Sequence, residues 1–114
     1  MKAKSEVIIS RFAEEELHEI IEYYYQISIP YTEKVVNEFE KNINQLKYFP
    51  KIGRVVPELE KQGIIKYREL LQGYYRIVYE EIDGKKVVIH TIIDGRRNFE
   101  DIIISKLMRY CDNK

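Results

Sequence analysis

The chain has little cysteine and no long apolar run, and both absences exclude classes of protein. Cys111 is the single cysteine among 114 residues. An intramolecular disulfide and a cysteine-based zinc site are therefore excluded, because either needs at least two thiols. No apolar run approaches the roughly 20 residues of a membrane span, and residues 1–4 lead into a strand pattern instead of a signal-peptide segment. We expect a cytoplasmic protein with no membrane partner.

The sequence also lacks internal repeats, low-complexity tracts and linkers rich in glycine, proline or serine. With 114 residues and a 45% apolar composition, it can form one core but is too short for a two-domain enzyme. We therefore expect residues 1–114 to form a single domain. His18 and His90 have no second ligand at a metal-binding spacing, and no glycine-rich phosphate loop follows a strand. Neither a metal ion nor a cofactor is expected.

The chain as a whole has no excess of either charge, but its two halves differ in net charge. The formal net charge is zero, which speaks against a generic nucleic-acid binder. Residues 1–50 carry six Lys and Arg against nine Asp and Glu, whereas residues 51–114 carry thirteen against ten. The second half is therefore the side that an anionic partner would prefer.

The first half predicts a strand and two helices. A short apolar strand at residues 7–9 precedes Ser10, which stands where an N-cap would. Pro30 interrupts the helical period, Thr32 can cap a second helix, and Phe49-Pro50 ends it. Apolar residues at spacings of three and four mark the two helices: Ala13, Leu17, Ile20, Ile21, Tyr24 and Ile27, then Val35, Val36, Phe39, Ile43 and Leu46. So short a break predicts an antiparallel helical hairpin.

The second half predicts three strands and a final helix. Residues 64–71, 75–82 and 86–93 are rich in Ile, Val and Tyr, and Gln72-Gly73 and Asp83-Gly84 between them are typical of hairpin turns. These strands form an antiparallel meander. Asn98 can cap a last helix whose apolar side comprises Phe99, Ile102, Ile103, Leu107 and Tyr110. The predicted fold class is α+β, with the helical hairpin packed on one face of a small sheet.

Four arginines are the candidate binding residues. We call them the arginine patch and expect them to bind a target or a phosphate: Arg68, Arg76, Arg96 and Arg97. The last two follow the third strand of the meander directly, close enough to extend a patch formed by the first two. Guanidinium groups bind phosphate and carboxylate through paired hydrogen bonds, so a shared surface would suit an anionic partner.

The loop of the first hairpin decides whether two of these arginines share a face. A three-residue loop puts Leu70 opposite Arg76 and Arg68 opposite Val78, so that both arginines lie on one sheet face. A two-residue loop instead puts Glu69 opposite Arg76, and a cross-strand salt bridge then satisfies the arginine. The sequence leaves both alternatives open.

Several short motifs, taken in their order, resemble one family. After Ser10 and its acidic helix come Phe49-Pro50, then Gly53-Arg54-Val55-Val56-Pro57-Glu58, Tyr67-Arg68-Glu69-Leu70, Tyr75-Arg76-Ile77-Val78-Tyr79 and Gly95-Arg96-Arg97. This order, over nearly the whole chain, resembles the RelE/ParE superfamily of bacterial toxins. The Gly-Arg-x-Val-Pro-Glu and Tyr-Arg-Glu-Leu pieces are most similar to the ParE branch. The resemblance implies a toxin of a type II toxin–antitoxin pair, held inactive by an antitoxin encoded beside it.

The superfamily offers two mechanisms. The RelE branch cuts messenger RNA on the ribosome with a cluster of basic residues, and on that reading Arg68, Arg76 and Arg97 would be catalytic. Leu70, however, stands where a second strand lysine is expected, and Ile103 stands about where a tyrosine belongs. Without these proton-handling groups, general acid–base cleavage is hard to assemble. The ParE branch poisons DNA gyrase through protein contact and needs no catalytic set, so we expect that mechanism.

The resemblance also implies a partner. In this family a disordered antitoxin segment folds onto the toxin as an amphipathic helix and covers basic residues with acidic ones, giving a hetero-oligomer. Exposed apolar groups on the helical hairpin and on the edge of the third meander strand are the candidate contacts. A non-toxic binding module of the same fold, whose arginines serve only in salt bridges, is the alternative from another functional class.

Overall fold

The computed structural model describes residues 4–112, without the side chains of 109–112, so the predicted roles of Tyr110 and Cys111 lie outside the described residues. The predicted order of strand, two helices, three strands and helix is confirmed, with a two-residue strand and a one-turn helix added at residues 54–60. In chain order the elements are β1 (Glu6–Ile9), α1 (Arg11–Ile27), α2 (Ile29–Gln45), β2 (Arg54–Val55), α3 (Pro57–Glu60), β3 (Tyr67–Gln72), β4 (Tyr75–Ile82), β5 (Lys86–Asp94) and α4 (Phe99–Asp112).

The caps of the helical hairpin are partly as predicted. Ser10 caps α1, since its hydroxyl accepts a hydrogen bond from the backbone N–H of Ala13 at 3.1 Å. The prediction that Thr32 caps α2 is wrong, because Ser28 both ends α1 and caps α2. Pro30 lies in the first turn of α2, where its missing N–H costs no helical hydrogen bond. The helix therefore begins at Ile29, three residues before Thr32.

The sheet has the strand order β1-β5-β4-β3-β2. β3, β4 and β5 form the predicted antiparallel meander, and β1 pairs with β5 in parallel. The prediction that the third meander strand offers an open edge is wrong for residues 86–89 of β5, because β1 pairs with them, whereas residues 90–94 lie beyond that pairing. The edge strands are β1 and the short β2, and β3 is also open at Leu71 and Gln72, beyond the two residues that pair with β2.

The first hairpin turns at Gly73 and Tyr74, one residue later than the sequence suggested. The loop has two residues, with Gln72 opposite Tyr75 and Leu71 opposite Arg76. The expectation that a two-residue loop puts Glu69 opposite Arg76 is therefore wrong, and neither predicted pairing occurs. Gly73 has φ +56°, and a positive φ at the first central position is the pattern of a type II′ turn, which favours glycine there. Gln72 consequently stays in the strand.

Both sheet faces are covered. The helical hairpin packs on one face, with Phe39 and Leu46 against Ile77 and Tyr79. Val78 alternates with Ile77 and so points to the opposite face, where it packs with residues of α3 and α4 such as Leu59 and Ile103. Ile27, predicted on the buried stripe of α1, is 65% exposed at the tip of the hairpin. Among the residues described, no helix is long and apolar enough to cross a membrane.

Candidate functional site

Arg76 lies at the centre of a partly buried ion cluster. Its Nε and Nη2 donate to the two carboxylate oxygens of Glu69 at 2.7 and 2.9 Å. Its Nη1 and Nη2 donate to the two oxygens of Glu58 at 2.9 and 2.7 Å. The guanidinium thus makes two bidentate pairs, the strongest arrangement available to it. The residue is 9% exposed, so little of it can reach an external ligand.

The cluster is electrically balanced. Arg54 donates from Nε to Glu69 at 2.7 Å, so two arginines neutralise the carboxylates of Glu58 and Glu69. Hydrogen bonds from Arg76 hold the pKa of Glu58 below its usual value. Burial acts to lower the pKa of Arg76, but its hydrogen bonds to Glu58 and Glu69 outweigh burial and raise it. The two arginines and the two carboxylates are therefore paired with one another in this cluster.

Packing fixes the Arg76 side chain as firmly as its charges do. The guanidinium carbon lies 3.4 Å from the centre of the Phe99 ring at the start of α4. A Cβ at Gly95 would come within 2.7 Å of Arg76 Cδ, so the side chain runs against a residue that must stay small. Arg76 therefore joins β4 to β3, α3 and α4, and its role in the described structure is to hold these elements together.

Arg68 belongs to a different network. It lies opposite Tyr79 on β4, and alternation along β3 places its side chain on the other face from Glu69 and Arg76. Its Nη1 donates to the carbonyl of Gly53 at 2.8 Å, and the N–H of Gly53 donates to the Tyr79 hydroxyl at 2.9 Å. Burial raises the pKa of that hydroxyl, which stays a neutral partner. The motif glycine is needed here, since a Cβ would lie 2.5 Å from the carbonyl of Glu69.

The last two arginines are exposed. Arg96 pairs with Asp94 at 2.8 Å and stacks over the Tyr74 ring at 4.0 Å. Its hydrogen bonds lower the pKa of Asp94. Arg97 lies at the rim of a cleft that also contains Lys106, and its side chain makes no hydrogen bond or ion pair within the described part of the chain.

The predicted arginine patch is therefore wrong as a single surface. Arg68 and Arg76 point to opposite faces, Arg76 is neutralised internally, and Arg96 and Arg97 alone are displayed together after β5. The cross-strand salt bridge of the second alternative does form, although Glu69 reaches Arg76 diagonally and not from the opposite position. No metal site lies among the described residues, which hold no group of three or more His, Cys, Asp or Glu placed to bind an ion.

The two positions that lack the expected nuclease groups are part of the core. Leu70 is 8% exposed beneath the helical hairpin, and Ile103 is fully buried on the other face. A lysine or tyrosine could not simply replace either without burying a polar group. Both positions therefore serve packing in this structure.

An apolar groove is the feature that the sequence did not predict. It has a volume of about 750 Å³ and lies between the edge strand β1 and the helical hairpin. We call it the hairpin groove; its apolar lining is Val7, Ile9, Leu17, Ile21, Val36, Phe39 and Ile43. The apolar periods of β1 and the helices were visible in the sequence, but the groove depends on the parallel pairing of β1 with β5, which periodicity does not reveal.

Comparisons with known proteins identify relatives of this fold. Residues 7–99 match the family model for the ParE toxin of the type II toxin–antitoxin system parDE. A search of curated proteins found no match. The solved chromosomal ParDE toxin–antitoxin system from P. aeruginosa is 18% identical, with a TM-score of 0.60 over 82% of this chain and 98% of that chain. The toxin–antitoxin complex RelBE2 from Mycobacterium tuberculosis is 18% identical, with a TM-score of 0.54 over 82% of this chain and 94% of that chain.

The family match includes every motif from Gly53 to Arg97 that the resemblance rested on. The two solved structures share the fold, a mixed sheet with a helical hairpin on one face. The predicted resemblance is therefore confirmed. The chain belongs to the ParE toxin family of type II toxin–antitoxin systems, within the RelE/ParE superfamily.

Proposed function

We propose that this toxin acts in the cytoplasm by binding and poisoning DNA gyrase, and that a cognate antitoxin neutralises it. The observation that carries the proposal is the internal neutralisation of Arg76 by Glu58 and Glu69. Four of the five N–H donors of this guanidinium bond two carboxylates that neutralise its charge, so Arg76 is poorly suited to stabilise charge on a scissile phosphate. Leu70 and Ile103 lie in the core. Of Arg68, Arg76 and Arg97, Arg97 is the one whose side chain makes no hydrogen bond or ion pair among the described residues. Protein contact needs none of these groups.

We place the antitoxin in the hairpin groove. Its apolar lining suits one face of an amphipathic segment, and Lys41 and Lys47 outnumber Glu40 at its rim. A segment with apolar anchors and flanking acidic residues would satisfy both. β1 is also an edge strand, so part of the segment can pair with its backbone. The expected product is a hetero-oligomer of toxin and antitoxin.

The gyrase assignment is tested by inducing the toxin in bacteria with and without the product of the neighbouring gene. We expect growth arrest with gyrase-linked DNA breaks, and recovery when the neighbour is co-expressed. Codon-phased cleavage of messenger RNA that Arg97→Ala abolishes would instead support the ribosome and mRNA as targets. Arg97 is exposed and suits this test, whereas replacing Arg76 would disturb the fold. Normal growth in every arm would contradict toxicity and support the alternative of a non-toxic binding module.

The groove assignment is tested with two neighbouring residues of β1. Ile8 and Ile9 are each 37% exposed, but alternation puts them on opposite faces and Ile9 alone lines the hairpin groove. We expect Ile9→Asp to keep arresting growth in the presence of the antitoxin and to lose its capture in a pull-down. Ile8→Asp, the matched control, should be neutralised like the wild type. Equal behaviour of the two variants would show that the antitoxin does not bind in the hairpin groove.

A further inference from the structure

A second concave surface lies where the tip of the helical hairpin meets the turn between β3 and β4. We call it the tyrosine cleft; it has a volume of about 460 Å³ and is lined chiefly by Tyr23, Tyr24, Ile27, Tyr31, Tyr74 and Arg96. Much of this lining is open to solvent, with Ile27 65%, Tyr74 61% and Tyr23 60% exposed. A cluster of large apolar side chains on the surface often marks an interaction site.

The chemistry of the tyrosine cleft suits a protein partner. Its lining holds one acid and one base, Asp94 and Arg96, which pair at 2.8 Å, so the surface carries no net charge. A nucleic acid would find no excess cation there. Tyrosine and arginine are the residue types most enriched at the energetic centres of protein interfaces, whereas Lys and Glu, depleted at such centres, are missing from this lining.

The cleft is held in shape before any partner arrives. The Tyr24 and Tyr75 hydroxyls lie 3.3 Å apart, and the Tyr24 ring packs edge-on against Tyr23 and Tyr31 with centroids 5.2 and 5.3 Å away. Tyr74 is fixed through its carbonyl, which accepts from the N–H of Gly95 at 2.7 Å, and through the stacked Arg96. A partner therefore has few side chains to immobilise, which favours affinity.

The tyrosine cleft and the hairpin groove share no lining residue. α1 contributes Leu17 and Ile21 to the groove and Tyr23, Tyr24 and Ile27 to the cleft, so the two sites occupy successive parts of the hairpin. An acidic antitoxin segment gains nothing from Arg96, because Asp94 already neutralises it. The two surfaces can therefore be occupied by different proteins and altered separately.

We propose that the tyrosine cleft is the surface through which the toxin holds its target protein. The partner presents an uncharged patch, with an apolar side chain seated between Ile27 and Tyr74 and hydrogen-bond acceptors facing the tyrosine hydroxyls. This inference rests on the proposed mechanism of protein contact and adds the residues that make the contact. It predicts that toxicity and antitoxin binding are separable by substitution.

The test compares exposed residues inside and outside the cleft. Ile27→Ala and Tyr74→Ala remove cleft side chains; Ile65→Ala and Tyr48→Ala remove side chains elsewhere on the surface that are 66% and 45% exposed. All four should fold with the wild-type melting temperature. The cleft variants should bind purified gyrase about 30-fold more weakly, the loss expected for one hot-spot side chain. They should also fail to arrest growth, while binding the antitoxin as the wild type does. The controls should retain all three properties.

The outcomes separate this inference from the gyrase assignment. If the wild type arrests growth without gyrase-linked breaks, the gyrase assignment fails, and loss of arrest in the cleft variants still supports the cleft. Cleft variants that arrest growth like the controls overturn the inference. So does a parallel loss of antitoxin binding, which would make the cleft part of the antitoxin site. A wild-type dimer that the cleft variants convert to monomer would assign the surface to a second copy of the chain and also overturn it.

Discussion

Replacing Arg76 by methionine should destabilise the protein more than replacing any exposed charged residue. Met keeps much of the side-chain length but leaves Glu69, whose side chain is fully buried, with Arg54 as its one cationic partner among the described residues. Removing one member of a buried ion pair costs about 3–5 kcal/mol. Because Arg54 remains 2.7 Å from Glu69, we expect the lower end, about 3 kcal/mol. That is a large part of the roughly 5–15 kcal/mol available to a domain.

Urea unfolding followed by circular dichroism measures this loss in the free energy of unfolding. Arg11→Met is the matched control, because Arg11 forms an exposed ion pair with Glu15 and its loss should leave the midpoint unchanged. The double variant Arg76→Met with Glu69→Met should recover part of the loss, since it removes the uncompensated buried charge. A cost below about 1 kcal/mol for Arg76→Met, or no recovery in the double variant, would refute the structural role of the ion cluster.

Three further predictions concern the same framework. The pKa of Glu58 in the folded protein lies below its usual 4.5, so its pairing stabilises the fold above that pH, and the stabilisation is lost as the pH falls through the folded pKa. The free energy of unfolding of Glu58→Gln should therefore vary less with pH in this acid range than that of the wild type. The same pH dependence in both proteins would contradict the pairing. Gly53→Ala should lower the free energy of unfolding, measured with heat or urea, by about 1–3 kcal/mol, because the added Cβ would clash with the Glu69 carbonyl and the Tyr79 hydroxyl. Wild-type stability would show that the backbone shifts to relieve the clash. Ser28→Ala should lower the free energy of unfolding by about 1 kcal/mol, because it removes the cap of α2. The same unfolding experiment measures this loss, and an unchanged midpoint would contradict it.

Local patterns predicted the elements well because their causes are local. The spacing of apolar residues in α1 and α2, the Ser10 cap and the Asp83-Gly84 turn each depend on a few neighbouring residues. Errors arose where two local signals competed. Thr32 was predicted to cap α2 because Pro30 was taken to interrupt the helical pattern, but Pro30 lies in the first turn and Ser28 is the cap.

The missed features depend on residues far apart in the chain. Glu58 and Arg76 are 18 residues apart, and Ser10 and His90, which hydrogen-bond where β1 ends beside β5, are 80 apart. A shift of one residue in the β3–β4 turn reversed the face of Arg68 relative to Arg76, since side chains alternate along a strand. Periodicity cannot fix such a register, so the arginine patch was predicted from residues that the fold separates.

The family motifs acquire a physical meaning from this arrangement. Arg54 and Glu58 come from one motif, Glu69 from the second and Arg76 from the third, and the side chains of these four residues form the ion cluster. Their spacing therefore serves the assembly of β2, α3, β3 and β4. We infer that recognition of target and antitoxin is left to the exposed tyrosine cleft and hairpin groove.

The most direct test of protein contact as the mechanism uses purified components. Wild-type toxin is incubated with DNA gyrase, supercoiled plasmid and ATP, and in parallel with ribosomes programmed with a messenger RNA. Our account predicts linear plasmid from trapped gyrase–DNA cleavage complexes, abolished by the antitoxin, and intact message in the parallel reaction. Cleaved message with no effect on the plasmid would contradict it.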